Sequence, residues 1–146
     1  MIAYDLDGVF TSDIMFDGGD LEHLLYFRHN HTKPIFEPSG DFYILTGRPK
    51  EDEPHTLKWI NTHWINKPLK VFHENDDFMK GAEYKLAVLI ENPDIHAFIE
   101  SSERQCEYNR AGLRHNLLHH VAVIHFASMV RMAAHAYAKH PRDIIP

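Results

Sequence analysis

The chain reads as a three-layer α/β domain, a parallel sheet of about five strands with helices on both faces. Three observations predict this class. Short apolar runs alternate with helix-period segments along 146 residues, the pattern of successive βαβ units. The hydrophobic fraction of 44% and the charged fraction of 25% are those of an ordinary globular protein, with length for one domain, residues 1–146, and its core. Several apolar runs also close on a polar residue (Asp5, Thr46, Glu74, Glu100), and open parallel sheets gather their sites at the carboxyl ends of strands.

Taken in order, residues 2–5 form a short first strand ending in acid. Residues 20–29 carry Leu21, Leu24, Leu25 and Arg28 at helical spacing, which predicts a helix. The stretch 29–40 is the least regular and reads as a loop. Residues 41–48, "DFYILTGR", form a strand that closes on Thr-Gly. Residues 51–65 open with acids and a proline, as a helix N-terminus does, and place Leu57, Ile60 and Trp64 on one face. Strands follow at 69–74, 96–100 and 120–126. Helices are predicted at 80–93, closed by Asn92-Pro93, at 103–113 with Ser101 or Ser102 as N-cap, and at 127–140. The whole is a Rossmann-like arrangement with no repeat and no low-complexity tract.

The formal charge of −6 argues against non-specific nucleic-acid binding, which needs a basic surface. A divalent cation in an acidic pocket would reverse the local sign. No apolar run approaches the roughly 20 residues of a membrane-spanning helix, and "IAYDLDG" after Met1 reads as a strand and its tip, not a leader peptide. The single cysteine, Cys106, leaves no intrachain disulfide, so a reducing, cytoplasmic setting is expected. Thirteen histidines are unusual; adding their 13 charges to −6 gives +7 on full protonation. His115, His119 and His120 fall at spacings that share a helix face, but polar surface positions are the simpler reading.

The chemistry concentrates in "YDLDGVF", residues 4–10. Asp5 and Asp7 lie two apart at a strand end and project the same way if the strand stays regular, and Gly8 lets the backbone turn directly after them. Two carboxylates so close repel unless a cation or a shared proton intervenes. Asp-Gly is also an ordinary turn. The other strand ends add Thr46, Glu74 and Glu100 to the acidic pair.

"DLDGV" followed by "YILTGR" resembles the first two motifs of the haloacid dehalogenase superfamily of phosphohydrolases. Asp5, Asp7 and Val9 match the first motif and Thr46 the second. Lys85 and Lys80 compete for the lysine of the third, with Lys85, 15 positions before Glu100, preferred. "FIESSERQ" stands where the acidic fourth motif belongs, with Ser101 in place of the aspartate usual there. The resemblance implies a phosphomonoester hydrolase. Asp5 would be the nucleophile and form an aspartyl-phosphate; Asp7 would be the acid and base. Thr46, Gly47 and nearby backbone N–H groups would hold the phosphoryl oxygens, and Lys85 would offset their charge. Mg²⁺ would be held through Asp5, the backbone of Asp7, and Glu100. Arg48 would touch substrate or pair with a surface acid. Glu103 is a backup ligand whose simpler role is a first-turn helix acid. Asn75, Asp76 and Asp77 would line the rim or form a solvated loop.

Only 36 residues separate Val9 from Thr46 and 38 separate Thr46 from Lys85. Neither interval holds a full cap domain, so an open site is expected, with at most a flap from residues 10–18 hinged at Gly18-Gly19. Oligomerisation is an alternative source of a lid. The expected substrate is a small phosphorylated compound, a nucleotide by analogy, with nucleic-acid ends left open. The rival reading is a degenerate domain that binds a phosphorylated ligand or partner without turnover, motivated by Ser101. A receiver-like domain phosphorylated on a later strand is a further rival.

Overall fold

The structure, a computed structural model, describes residues 1–11, 33–74 and 81–139. Five parallel strands form one sheet: β1 (Ile2–Tyr4), β2 (Phe42–Pro49), β3 (Lys70–Glu74), β4 (Ala97–Glu100) and β5 (Ala122–His125). Their order is β3-β2-β1-β4-β5, all neighbours parallel. The helices are α1 (Glu53–His63), preceded by a 3₁₀ turn at Lys50–Asp52, then α2 (Gly81–Glu91), α3 (Glu103–His115) and α4 (Phe126–Lys139). The architecture is the α/β Rossmann-like one expected. In this order the chain runs outward from β1 through β2 to β3, then returns past β1 to β4 and β5. The reversal makes the carboxyl end of β1 the switch point, where ligand crevices open in such sheets. A receiver-type order would place β1 between the second and third strands, so the sheet argues against that rival.

The period-two alternation of the strands decides which face each side chain joins. Ala3, Tyr43, Leu45, Phe98 and Val123 point to one face and pack with Val88 and Leu89 of α2 and with Cys106 and Leu113 of α3. Phe42, Ile44 and Ile99 point to the other and pack with Leu6, Val9, Phe10, Trp59, Ile60 and Trp64; Phe126 and Met129 of α4 add to this layer. Aromatic rings dominate it. Phe10 lies 4.6 Å from Phe36 and 4.8 Å from Trp64 between centroids, the separations at which tilted and edge contacts are favourable.

Several sequence expectations move by a residue or two, as element ends do, and some change in kind. Leu57 is exposed, and the buried face of α1 is Thr56, Trp59 and Ile60, with Trp64 buried just beyond the helix. Strand β2 does not stop at Thr46 but continues to Pro49, with an irregular register against β3 between Leu45 and Pro49. Ser102, not Ser101, caps α3, its Oγ accepting the Gln105 N–H at 3.3 Å. Helix α4 starts at Phe126 with no loop after β5. His115 ends α3, while His119 and His120 lie in the following turn; all three are exposed, so they do not share a helix face. The helix expected at 20–29, most of the flap, and Asn75, Asp76, Asp77 and Lys80 lie outside the described residues. No helix among the described residues is long and apolar enough to cross a membrane.

Candidate active site

Strand β1 is only three residues long. The ladder nevertheless extends one residue further, because the Asp5 N–H donates to the Ile99 carbonyl at 2.8 Å. The chain then turns tightly: Phe10 N–H reaches Leu6 O at 3.0 Å, Gly8 N–H reaches Thr11 O at 2.9 Å, and Gly8 takes φ 84°. That left-handed conformation suits glycine because it has no Cβ to clash. Leu6, Val9 and Phe10 are fully buried and anchor the turn from below. Asp5 therefore sits at the strand tip and Asp7 within the turn. Their relation is set by the turn rather than by strand pleat, which corrects the expectation from regular strand geometry.

Asp5 is buried, and both its oxygens are held. Oδ1 receives the Leu6 N–H at 2.9 Å and lies 3.2 Å from Lys85 Nζ. Oδ2 receives the Ser101 hydroxyl at 3.0 Å. Lys85, on the second turn of α2, donates also to Glu100 Oε2 at 2.8 Å and to Gln105 Oε1 at 3.0 Å. The other Glu100 oxygen, Oε1, receives the Ser102 N–H at 3.1 Å, and Ser101 Oγ lies 3.4 Å from it. One ammonium thus bridges two buried carboxylates, and one hydroxyl lies beside the second oxygen of each. Helix α2 starts close to β2: a Cβ on Gly47 would sit 3.7 Å from Gly81 Cα and 3.8 Å from Lys85 Cε.

The charges are unequal, two carboxylates to one lysine. Burial first, and then the charge of Glu100, push the Asp5 carboxyl well above its ordinary range, while Lys85 works the other way. Burial alone would raise Glu100 too, but Lys85, with hydrogen bonds from Asp5 and from the Ser102 N–H, brings it below. Burial would likewise lower the Lys85 ammonium, yet Asp5 and Glu100 outweigh it and hold it above the usual lysine value. The cluster holds one negative charge in excess, or the proton that neutralises it.

Arg48 takes its acidic partner from within the site. It is almost wholly buried and pairs with Asp7, not with a surface acid: Nε donates to Oδ2 at 2.8 Å and Nη2 to Oδ1 at 2.7 Å. This is the planar fork that makes arginine the best partner for a carboxylate. Nη1 donates to Thr56 Oγ1 of α1 at 3.2 Å, and Thr11 Oγ1 donates to Asp7 Oδ1 at 3.2 Å. Thr46 is buried, and its Oγ1 accepts the Arg48 N–H at 3.2 Å, bracing the irregular end of β2. Glu103 is exposed in the first turn of α3, away from the carboxylate cluster's hydrogen bonds.

Asp5, Lys85 and Glu100 come together, as do Asp7 and Arg48, with Thr46 and Gly47 beside them. Sequence reasoning missed Gln105, whose only signal was its place in the first turn after the fourth strand. It also missed the contact of Ser101 with Asp5. Among the described residues no three His, Cys, Asp or Glu side chains gather as a metal-binding group. The side-chain oxygens of the cluster, two carboxylates and a hydroxyl, are of the type a hard divalent cation takes, and the Lys85 ammonium already bridges the two carboxylates. No protein-family model, curated protein or solved structure gives a significant match to this chain.

Proposed function

We propose that the protein is a Mg²⁺-dependent phosphomonoester hydrolase of the haloacid dehalogenase type. The single observation that supports this reading is the convergence of Asp5, Lys85 and Glu100, from three separate elements, on the switch point of the sheet. Asp5 attacks phosphorus. The P–O ester bond breaks, its electron pair passes to the departing oxygen, and Asp7 delivers a proton there. Water then attacks the aspartyl-phosphate with Asp7 taking its proton, which frees Asp5 and inorganic phosphate. Lys85 neutralises charge on Asp5 and the phosphoryl group, Thr46 and Gly47 bound the phosphoryl site, and Glu100 holds Lys85 in place. Asp5, Glu100 and the backbone of Asp7 would hold Mg²⁺, whose contribution when bound is to offset the excess negative charge beside the attacking carboxylate.

The assay is hydrolysis of a panel of nucleotides, sugar phosphates and aryl phosphates with and without Mg²⁺. Activity should require the metal and vanish in Asp5→Asn. Glu100→Gln should weaken the Mg²⁺ dependence far more than Glu103→Gln. Robust turnover by Asp5→Asn would remove Asp5 as nucleophile. One observation favours a second reading: Arg48 occupies both Asp7 oxygens, which suits a domain that binds phosphorylated ligands without turnover. Saturable phosphate binding by a wild-type protein that hydrolyses nothing on the panel would select it.

A further inference from the structure

Lys85 has no hydrogen left to give. An ammonium carries three N–H donors and no acceptor. Asp5 Oδ1 at 3.2 Å, Glu100 Oε2 at 2.8 Å and Gln105 Oε1 at 3.0 Å take all three. The side chain is buried, and the centre of the Phe98 ring lies 5.8 Å from Nζ. Its charge acts over a longer distance than its hydrogens, so it still attracts an anion. An anion oxygen seated beside it must nevertheless take its hydrogen bond from another group. Gln105, in the first turn of α3, carries one. Lys85 only donates, so the amide atom that faces it is Oε1, and this contact fixes which way the carboxamide points. Nε2, on the other side of the amide, donates to no group among the described residues. Its neighbours are the backbone of α2 and β2. A Cβ built on Gly81, at the start of α2, would lie 3.9 Å from Gln105 Nε2 and 3.8 Å from Gly47 Cα. The free donor and the strand end that bounds the phosphoryl site therefore flank one point.

We propose that Gln105 is a substrate-binding residue of this site: its Oε1 takes the Lys85 ammonium, and its Nε2 gives a phosphoryl oxygen the hydrogen bond that the saturated ammonium does not. The inference rests on the hydrolase reading for the seat of the phosphoryl group. Linked hydrogen bonds polarise one another, so a cation on Oε1 strengthens the donors on Nε2. Gln105 is half-buried, which keeps the amide within reach of a ligand while Lys85 holds its orientation. The residue type matters for the same reason. A glutamate here would accept from Lys85 at least as well, because a carboxylate accepts on both oxygens. Its second oxygen would then face the phosphoryl group and repel it. Only the amide accepts on one side and donates on the other.

Two variants separate the two halves of the amide. Gln105→Glu keeps an acceptor for Lys85 and loses the donor. Gln105→Met keeps the length of the side chain and loses both, without adding charge. The readouts are calorimetric binding of inorganic phosphate at saturating Mg²⁺ and KM for phenyl phosphate. Gln105→Glu should weaken both by a similar factor, at least about tenfold, as loss of a hydrogen bond to a charged group does. Gln105→Met should weaken both by less. A residue that only props Lys85 gives the reverse order, with Gln105→Glu harmless and Gln105→Met the worse. That order, or phosphate binding unchanged in Gln105→Glu, would overturn the contact. If Gln105→Met fails to fold, Gln105→Glu alone decides. A wild type that binds phosphate, loses it in Gln105→Glu and hydrolyses no ester keeps the contact and removes the hydrolase reading. Turnover with unchanged phosphate binding in Gln105→Glu does the opposite. A wild type that neither binds phosphate nor hydrolyses an ester overturns both.

Discussion

Replacing Lys85 by methionine isolates the centre of the site. The ammonium lies 3.2 Å from Asp5 Oδ1, 2.8 Å from Glu100 Oε2 and 3.0 Å from Gln105 Oε1, and both carboxylates are buried. Deleting one partner of a buried charge pair costs about 3–5 kcal/mol, because the remaining charge stays in a poorly solvating site. Two lost charge-assisted hydrogen bonds at about 1.5–3 kcal/mol each give an overlapping range, about 3–6 kcal/mol. The methionine stem keeps most of the packing, so a loss of about 4 kcal/mol is expected at pH 8, a large share of a typical total of about 5–15 kcal/mol. The variant can recover by protonating its carboxylates. Without Lys85 both carboxyls have folded pKa values above their unfolded ones. Their stabilisation is then present below the unfolded values, about 4, and is lost as pH rises through the folded values. The defect should therefore be small near pH 4–5 and full at pH 8. Urea unfolding at both pH values measures it. The double variant Lys85→Met/Glu100→Gln should regain much of the loss at pH 8 by removing one of the two negative charges. A loss under about 1 kcal/mol at pH 8, or an equal loss at both pH values, would refute the account of one lysine compensating two buried acids.

Two further outcomes follow from packing and burial. Gly112→Ala should destabilise by about 1 kcal/mol despite the better helix propensity of alanine. The new Cβ would overlap Leu86 Cδ2 and lie 2.9 Å from its Cδ1, and the loss should disappear when urea unfolding compares Leu86→Ala with Leu86→Ala/Gly112→Ala. His73 is buried at the end of β3, with Nδ1 3.2 Å from the Pro49 carbonyl. Burial lowers its pKa against the opposing pull of Glu53. Its contribution is thus present above the unfolded value, about 6.5, and is lost as pH falls through the folded one. Urea midpoints should drop less between pH 7 and pH 5 in His73→Gln than in the wild type.

Strand–helix alternation was legible because periods of 2 and 3.6 are local properties of the chain. The sequence alone determined the class of fold, its five strands, and the strand-end positions of Asp5, Glu74 and Glu100, but not that of Thr46, which β2 passes to end at Pro49. Spacing from Glu100 also pointed to Lys85, whose ammonium the fold places against that carboxylate; Lys80 lies outside the described residues. Other features needed three dimensions. Leu57 and Trp59 both suit a helix, and only the position of α1 against the sheet decided that Trp59 goes inside. Arg48 is two residues from Thr46 in the sequence, but its partner is 41 residues away. A long flexible side chain finds its carboxylate through the fold, so no periodicity announces the pair. The same holds for Ser101, whose hydroxyl reaches Asp5 only because β4 lies beside β1. His125 meets the Ser101 carbonyl because β5 lies beside β4. Local pattern determined which residues stand at strand ends. Strand order, a property of the assembled sheet, decided which of those ends touch.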